Sequence, residues 1–315
     1  MARTRTTRPG YSAAGRYVKV PTGGTLPAGW KPPPAAETIK NLRYGSGSTQ
    51  ELDLYLPDAT EFPGPRPVLL WLHAGGWISE NRTQVGDVIQ REYSRGYAVA
   101  SVEYALAPAN PFPAALHDVK LAIRFLKANA ATYDLDSGNI IASGGSSGGN
   151  LAMLVGLTPG RLEPAKIPAP LSAYDDKVAA VVDLVGPTDL AAFVVEKGSV
   201  GDFARSMTSE FLHCTASTTP HRITCPRGSI AAASAKTYVA SNSPPLFMAF
   251  GAQDTLVPPK TQAVPIATKW AAAKPTSGSV WLQIIGNAGH NISVDKLNVK
   301  YFDLFLAGVV ARSIR

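Results

Sequence analysis

The amino-acid sequence predicts an α/β fold, with a mainly parallel central sheet of about eight strands covered by helices on both faces. The length of 315 residues and the hydrophobic fraction of 45% suit one large domain. Continuous apolar runs alternate along the chain with segments of helical spacing. A glycine-rich turn at 144–149 joins one such run directly to a helical segment. In sheets of this class, functional side chains gather at the carboxyl ends of the strands.

The predicted strands differ in how they expose their side chains. Residues 51–57 alternate between polar and apolar, as an edge strand does. Residues 67–72 are a continuous apolar run, which indicates burial on both faces, and residues 97–102 are the next buried strand. Further strands are predicted at 139–142, 178–185, 245–250 and 279–285. Helical spacing predicts helices at 82–95, at 113–130, directly after the glycine turn, and from about 294 onwards.

Charge and composition divide the chain into a tail and a main domain. Residues 1–36 are rich in Pro, Gly, Thr and Arg, and we predict that they are irregular. Residues 1–31 hold six of the 30 basic residues and no acidic residue, which leaves 24 basic against 23 acidic residues elsewhere. Basic tails attract nucleic acid or anionic lipid in some proteins, but we expect a solvated leader without nucleic-acid binding. Residues 37–315 form the predicted main domain, with a cap insertion at 190–242.

Composition also disfavours several classes of protein. No segment approaches the roughly 18 apolar residues of a membrane span, and the tail lacks the apolar core of a signal peptide. Cys214 and Cys225 lie close together in a polar loop, which is consistent with either a disulfide or two free thiols. His213 and His221 are near, but their spacing matches no zinc pattern, so we expect no metal and no cofactor. Localisation stays open between the cytoplasm and a secreted mature form without its leader.

The glycine-rich turn contains two candidate nucleophiles. Ser146 and Ser147 each occupy the centre of a Gly-x-Ser-x-Gly pattern, in which a strand turns sharply into a helix and exposes the serine hydroxyl. A flexible turn without chemistry is one alternative. A phosphate cradle is another, but the Gly-Lys-Ser/Thr sequence of such loops is absent. The pattern alone leaves the choice between the two serines open.

A serine nucleophile needs a base to take its proton and a carboxylate to orient that base. Of the five histidines, His290 lies in a small-residue loop after the last predicted strand, from which it can reach back to the serine. Asp254 follows the apolar run at 245–250, which precedes the last predicted strand, and Asp254 is the predicted carboxylate. Asp183 and Asp189 are the rivals, although we expect Asp189 to cap a turn or helix. The chain order Ser, Asp, His agrees with this assignment.

The negatively charged intermediate formed by serine attack needs preorganised hydrogen-bond donors. Residues 73–77 (His-Ala-Gly-Gly-Trp) follow the run at 67–72, at the place in the element order where a donor loop is expected. We predict the backbone amides of Gly75 and Gly76 as donors, together with the amide of the residue after the nucleophile. A plain glycine turn is the alternative.

These motifs together resemble the α/β-hydrolase superfamily, most closely its hormone-sensitive-lipase-like and feruloyl/xylan-esterase-like carboxylesterases. The resemblance covers roughly residues 50–295. Its pieces are residues 52–57, 73–77, 104–108, 112–120, 144–152, 186–190, 254–258 and 289–290. In that family the nucleophile precedes x-Gly-Gly-(His/Asn)-Leu-Ala, which implies that Ser146 is the nucleophile and that Ser147 supplies the third amide.

The resemblance implies a serine carboxylesterase that hydrolyses short-to-medium acyl esters of small molecules through an acyl-enzyme. An amidase, peptidase, feruloyl or polyester hydrolase with the same residues is the alternative, followed by a non-catalytic binding module. Five apolar side chains are candidate pocket walls, with ordinary core packing as the alternative for each. They are Trp77, Phe193, Phe203, Met207 and Phe211. The oligomeric state is left open.

Overall fold

A ten-stranded sheet runs through the part of the chain that the structure describes. The structure is a computed structural model, and it describes residues 10–11, 18–21, 23–216, 222–273 and 279–313. The strands of the sheet are β1 (Gly10–Tyr11), β2 (Val18–Lys19), β3 (Glu37–Arg43), β4 (Glu51–Leu56), β5 (Arg66–Leu72), β6 (Ala98–Val102), β7 (Leu135–Gly145), β8 (Ala180–Leu184), β11 (Leu246–Gly251) and β12 (Val280–Ile285). Two further strands, β9 (Thr215–Ala216) and β10 (Ile223–Thr224), form a separate antiparallel hairpin.

The strand order across the sheet is β1-β2-β12-β11-β8-β7-β5-β6-β4-β3. All neighbours from β2 to β6 in this order pair in parallel. Strand β4 is antiparallel to both of its neighbours, and β1 is antiparallel to β2. Leaving out the two short strands β1 and β2, eight strands form the mainly parallel sheet that the sequence predicts, and the predicted α/β class is confirmed.

The sheet extends beyond the predicted strands at both edges. Strand β2 pairs with β12, and the amide of Val20 donates to Leu282 O at 2.9 Å. The prediction that residues 1–36 are irregular is therefore wrong at β1 and β2, because backbone pairing at an edge needs no hydrophobic pattern. Residues 1–9, 12–17 and 22 of the predicted tail lie outside the described residues. Strand β3 went unpredicted because its side chains are mostly exposed and form no apolar run.

Helices cover both faces of this sheet, as the alternating pattern predicts. They are α1 (Asp87–Gln90), α2 (Ala114–Ala128), α3 (Ala130–Tyr133), α4 (Ser147–Leu157), α5 (Leu190–Val194), α6 (Gly198–Leu212), α7 (Ser229–Ala232), α8 (Pro259–Ala273) and α9 (Val299–Ser313). Short 3₁₀ segments lie at Arg91–Arg95, Leu171–Ala173 and Ala235–Tyr238. Helix α8 was not predicted, because it contains Pro265, a residue that normally interrupts a helix.

Two predicted helices begin later than the periodicity indicates. The helix expected over 82–95 forms only from Asp87, because Asn81 Oδ1 accepts the amide of Thr83 at 2.9 Å and holds this segment in a turn. The helix expected from about 294 begins at Val299. Neither change moves a predicted site residue out of its loop.

The chain between β8 and β11 contains the small elements α5, α6, α7 and the β9–β10 hairpin. This is the segment for which the sequence predicts a cap insertion. Cys214 and Cys225 are joined by a disulfide across the base of the hairpin, directly after α6. Of the two alternatives that the sequence left open for these cysteines, the structure contains the disulfide.

A buried ion pair connects α2 to the segment that follows α4. The side chain of Lys120 is fully buried and donates to Thr158 O at 2.6 Å and to Asp176 Oδ2. Asp176 is 1% exposed, and its other carboxylate oxygen accepts the amide of Gly160 at 2.9 Å. Both charges are therefore withdrawn from water and satisfied by each other and by the backbone.

Replacing Lys120 with methionine is expected to lower the free energy of unfolding by about 3 kcal/mol, because it leaves a buried carboxylate without its main partner. Arg124 Nη2, 3.6 Å from Asp176 Oδ1, keeps the loss at the lower end of the range for such pairs. Urea unfolding measures the loss. The control is the double variant Lys120→Met/Asp176→Asn, which should recover most of the stability. A double variant as unstable as the single one would contradict the argument.

Candidate active site

The glycine-rich turn between β7 and α4 holds Ser146 in a strained backbone conformation. Its φ is 51° and its ψ is −119°, and its amide donates to Leu184 O at 2.8 Å. A Cβ atom at Gly144 would lie 2.3 Å from the backbone carbon of Gly148, and one at Gly148 would lie 2.1 Å from Leu72 O. Only glycine fits at these two positions, which explains the Gly-x-Ser-x-Gly spacing around Ser146.

The fold brings Ser146, His290 and Asp254 together in one chain of hydrogen-bonding groups. His290 Nε2 lies 2.9 Å from Ser146 Oγ, and His290 Nδ1 lies 2.8 Å from Asp254 Oδ2. The other oxygen of Asp254 accepts the amides of Leu256 and Val257, each at 2.8 Å. Because a carboxylate only accepts, His290 donates through Nδ1 and leaves Nε2 free to accept the serine proton.

The two rival carboxylates have other partners. Asp189 caps α5 by accepting the amide of Ala192 at 3.1 Å, as the sequence predicts, and it also pairs with Lys236 at 2.8 Å. Asp183 lies inside β8 and accepts the amide of Gly186 at 2.8 Å. Full burial raises the pKa of Asp183 well above its usual value, against the weaker lowering effect of that one hydrogen bond.

This raised pKa makes Asp183 a source of pH-dependent stability. The group binds a proton more tightly in the folded chain than in the unfolded chain, so stability falls as pH rises above about 4, the usual pKa of aspartate, up to the raised folded value. Asp183→Asn removes this loss, and we expect its stability relative to the wild type to increase with pH. Urea unfolding across this range measures the difference. The control is Glu61→Gln, at an exposed carboxylate. Parallel pH curves for Asp183→Asn and the wild type would contradict the argument.

The predicted donor loop follows β5 and is folded tightly. Gly75 and Gly76 both have positive φ, at 101° and 62°. The amides of Ile78 and Ser79 donate to Gly75 O, each at 3.1 Å, and a Cβ atom at Gly75 would lie 2.1 Å from Ser79 O. Both glycines line the same cavity as Ser146, and Ser147 begins α4 directly beside it. The donor role of these three amides stays a prediction.

Aromatic packing between His73 and Tyr104 supports the predicted donor loop. The hydroxyl of Tyr104 donates to His73 O at 2.8 Å, and the two rings stack with centroids 4.1 Å apart. Burial lowers the pKa of His73, which favours the neutral imidazole. His73 therefore supports the backbone of the donor loop rather than acting as a second base.

A cavity of about 630 Å³ opens beside Ser146 and His290. Phe203 and Met207, four residues apart on one face of α6, line it as the sequence predicts. Met207 reaches the donor loop, because a Cβ atom at Gly76 would lie 2.5 Å from its sulfur.

The other three predicted pocket walls are core residues that do not line this cavity. Trp77 is 2% exposed and stacks on Phe211 at a centroid distance of 4.3 Å. Phe193 is buried against Phe203, with ring centroids 6.4 Å apart. The prediction is wrong for Trp77 and Phe211 because the end of α6 packs on the loop after β6, where the amide of Phe112 donates to Phe211 O. It is wrong for Phe193 because that ring packs against Phe203 in the core.

Three lining residues that the sequence did not single out add an aromatic ring and two carboxylates to the cavity. Trp71 forms part of the cavity wall although it lies within a buried strand, and Glu80 and Asp87 bring two carboxylates to the lining. No motif marked them. The one available signal was proximity, since Glu80 lies four residues after Gly76.

The described residues contain neither a candidate metal site nor a candidate membrane-spanning helix. No group of three or more His, Cys, Asp or Glu side chains there could hold a metal ion. No helix within the same residues is long and apolar enough to cross a membrane. His213 ends α6 in the left-handed conformation, and His221 lies outside the described part of the chain.

Comparison with known proteins places this geometry in a family context. The chain is 33% identical over 233 residues to the esterase LipQ of Mycobacterium tuberculosis, a match that covers 71% of this chain and 50% of that protein. It is 29% identical over 222 residues to the probable carboxylic ester hydrolase LipM of the same organism, covering 69% and 48%. The chain thus spans about half the length of the curated relatives it matches.

Solved structures give the same fold. A bifunctional GH43-CE protein of Bacteroides eggerthii matches with a TM-score of 0.72 at 26% identity, over 86% of this chain and 38% of that one. A butyrate-bound esterase of Thermogutta terrifontis matches with a TM-score of 0.65 at 21% identity, over 88% and 95%. The BD-FAE family model matches residues 52–269. This match spans well over half of the residues of the chain. The chain therefore belongs to the BD-FAE family, an α/β-hydrolase-like family.

Proposed function

We propose that this protein is a serine carboxylic ester hydrolase that acts on short-to-medium acyl esters of small molecules. The observation that carries the proposal is the hydrogen-bonded chain from Ser146 through His290 to Asp254, with Ser146 facing the cavity. The relatives named as esterases support the reaction class. No cofactor is needed, since base, nucleophile and donors all come from the protein.

In the first half of the proposed reaction, Ser146 Oγ attacks the ester carbonyl carbon while His290 Nε2 takes the serine proton. The carbonyl oxygen becomes an oxyanion, which the amides of Gly75, Gly76 and Ser147 stabilise. The intermediate then collapses. The bond to the alcohol oxygen breaks, and the alcohol leaves with the proton from His290. The acyl group stays on Ser146 as an ester.

In the second half, water replaces the alcohol. His290 takes a proton from water, the resulting hydroxide attacks the acyl carbon, and the same three amides stabilise the second oxyanion. Collapse breaks the bond to Ser146 Oγ, which regains its proton from His290. Asp254 orients the imidazole and stabilises its charged form throughout.

The preference for short-to-medium acyl groups rests on the cavity. Its volume of about 630 Å³ lies in the range of ordinary small-molecule pockets. Phe203 and Met207 form part of its apolar wall on the α6 side. We expect these side chains to favour acyl groups that fit within the cavity over long chains that extend beyond it.

Hydrolysis of p-nitrophenyl acetate, butyrate, octanoate and palmitate by the wild type tests the proposal. We expect the highest kcat/KM on butyrate or octanoate and a clear decrease on palmitate. Comparison of p-nitrophenyl acetate with p-nitroacetanilide separates an esterase from an amidase, because the two share the acetyl group and differ in the leaving atom. Faster cleavage of the anilide would favour the amidase alternative. No turnover of any ester would favour a binding module.

A further inference from the structure

The cavity beside Ser146 carries negative charge without a balancing positive side chain. Glu80 and Asp87 line it, and the lining contains no lysine or arginine. Within the described residues neither carboxylate takes part in an ion pair. Arg82 follows Glu80 by two residues, but its guanidinium pairs with other carboxylates. These are Glu51 at 3.0 Å, Asp53 at 3.1 Å and Glu103 at 3.2 Å.

Glu80 lies beside the predicted donor loop. Its φ of 67° is in the left-handed region, which a glutamate rarely adopts. The amide of Ala74 donates to its carboxylate, so the charge lies next to the loop that holds Gly75 and Gly76. Partial burial is the main influence on this group and raises its pKa. Loss of water around a carboxylate without a cationic partner increases its attraction for a cation.

Asp87 begins α1 and faces the loop that carries His290. Its Oδ1 accepts the amide of Val294 at 3.1 Å. The side chain is half-buried, and desolvation raises its pKa, with a smaller contribution from the nearby negative charge of Asp295. The carboxylate is therefore held in place by the backbone and remains uncompensated in charge.

An aromatic side chain lies close to the residues that precede Asp87 and the proposed nucleophile. The ring of Trp71 lines the cavity and is close to two glycines, since Cβ atoms at Gly86 and Gly145 would lie 3.1 and 3.5 Å from its Cη2. Gly86 precedes Asp87, and Gly145 precedes Ser146. Its indole nitrogen donates to Gln84 O at 2.8 Å, which anchors the ring. Tryptophan is the aromatic side chain that attracts organic cations most strongly.

We propose that Glu80 and Asp87, with the ring of Trp71, make this cavity selective for esters that carry an ammonium group. The proposal rests on the proposed ester hydrolase function and specifies the class of substrate. A positive charge a few carbon atoms from the scissile carbonyl lies within Coulombic reach of both carboxylates. Such attraction in a partly solvated cavity corresponds to a preference on the order of tenfold in kcat/KM.

Two thioesters of the same shape test this proposal. Acetylthiocholine carries a quaternary ammonium, and 3,3-dimethylbutyl thioacetate is its neutral carbon counterpart. A thiol reagent detects both products, and the two cysteines of the chain give no background because they form a disulfide. We expect the wild type to favour the cation about tenfold at low ionic strength, with the preference decreasing as salt is added.

Glu80→Gln and Asp87→Asn each preserve the oxygen that accepts a backbone amide and remove only the charge. We expect each to lower the cationic preference several-fold with little change on the neutral thioester, and the double variant to abolish the preference. Glu61→Gln is the matched control. It removes one charge from the loop before β5, at the opposite end of that strand from the cavity, and should leave the preference unchanged.

Several outcomes would overturn the proposal. Equal wild-type rates on the two thioesters would remove the selectivity and leave the ester hydrolase proposal intact. Equal losses on both substrates in Glu80→Gln and Asp87→Asn would assign these residues a positioning role instead. A decrease in Glu61→Gln as large as in the cavity variants would attribute the preference to overall charge. Failure to hydrolyse either thioester or any simple ester would remove both proposals.

Discussion

Ser146→Ala is expected to lower kcat on p-nitrophenyl butyrate by about 10⁴- to 10⁶-fold, because the proposed acyl-enzyme cannot form without the hydroxyl. Substrate binding should persist, since the methyl group of alanine fills less space than the side chain it replaces. Steady-state kinetics measures the change, and labelling with a fluorophosphonate shows whether the nucleophile is lost. The variant should incorporate no label at the glycine-rich turn.

Ser147→Ala is the matched control for this prediction. The proposed contribution of Ser147 is its backbone amide, which alanine retains, and its side chain is 1% exposed. We therefore expect this variant to keep activity within about tenfold of the wild type, a decrease that allows for a small change in packing. Loss of activity and label in Ser147→Ala, with Ser146→Ala active, would move the nucleophile by one residue and contradict the proposed donor set.

Asp254→Asn is expected to lower kcat by about 10⁴-fold while leaving the fold intact. The asparagine oxygen can still accept the amides of Leu256 and Val257, which hold Asp254 at 2.8 Å. Its NH₂ group then faces His290 Nδ1 and donates to it, so that the imidazole proton moves to Nε2. A protonated Nε2 cannot take the proton from Ser146. Kinetics together with an unchanged melting temperature would separate this effect from unfolding.

Asp189→Asn is the control for the choice of carboxylate. Asp189 was a rival in the sequence, and in the fold it caps α5 and pairs with Lys236. We expect its replacement to lower stability by about 1 kcal/mol or less, since asparagine is also a good cap, and to leave kcat near the wild-type value. A large loss of activity in Asp189→Asn, with Asp254→Asn still active, would contradict the assignment.

The central sheet and the neighbourhood of Ser146, His290 and Asp254 follow from local patterns. Buried parallel strands need continuous apolar runs, and their carboxyl ends lie on one edge of the sheet. Residues placed directly after such runs therefore meet in space even when they are far apart in sequence. Strand β3 and helix α8 escaped prediction for the converse reason. The first is mostly exposed, and the second contains Pro265.

Three-dimensional information separates neighbouring residues that the local pattern leaves equivalent. Two overlapping Gly-x-Ser-x-Gly patterns are equivalent as letters, and only the backbone shows that Ser146 has the positive φ and the contact to His290. The same is true of the predicted pocket walls, which the sequence alone does not separate from core residues. Phe203 and Phe211 belong to the same helix and have the same side chain, but one lines the cavity and the other packs on Trp77.

The sequence by itself determined the α/β class, the chain order of the strands that carry the candidate site, and the loops that supply its serine, histidine and aspartate. These depend on short-range periodicity and on the position of loops along the chain. Only the tertiary structure decided that Cys214 and Cys225 form a disulfide and that Glu80 and Asp87 share a cavity. Those relations join segments that have no common pattern, and they arise when packing brings separate loops to one edge of the sheet.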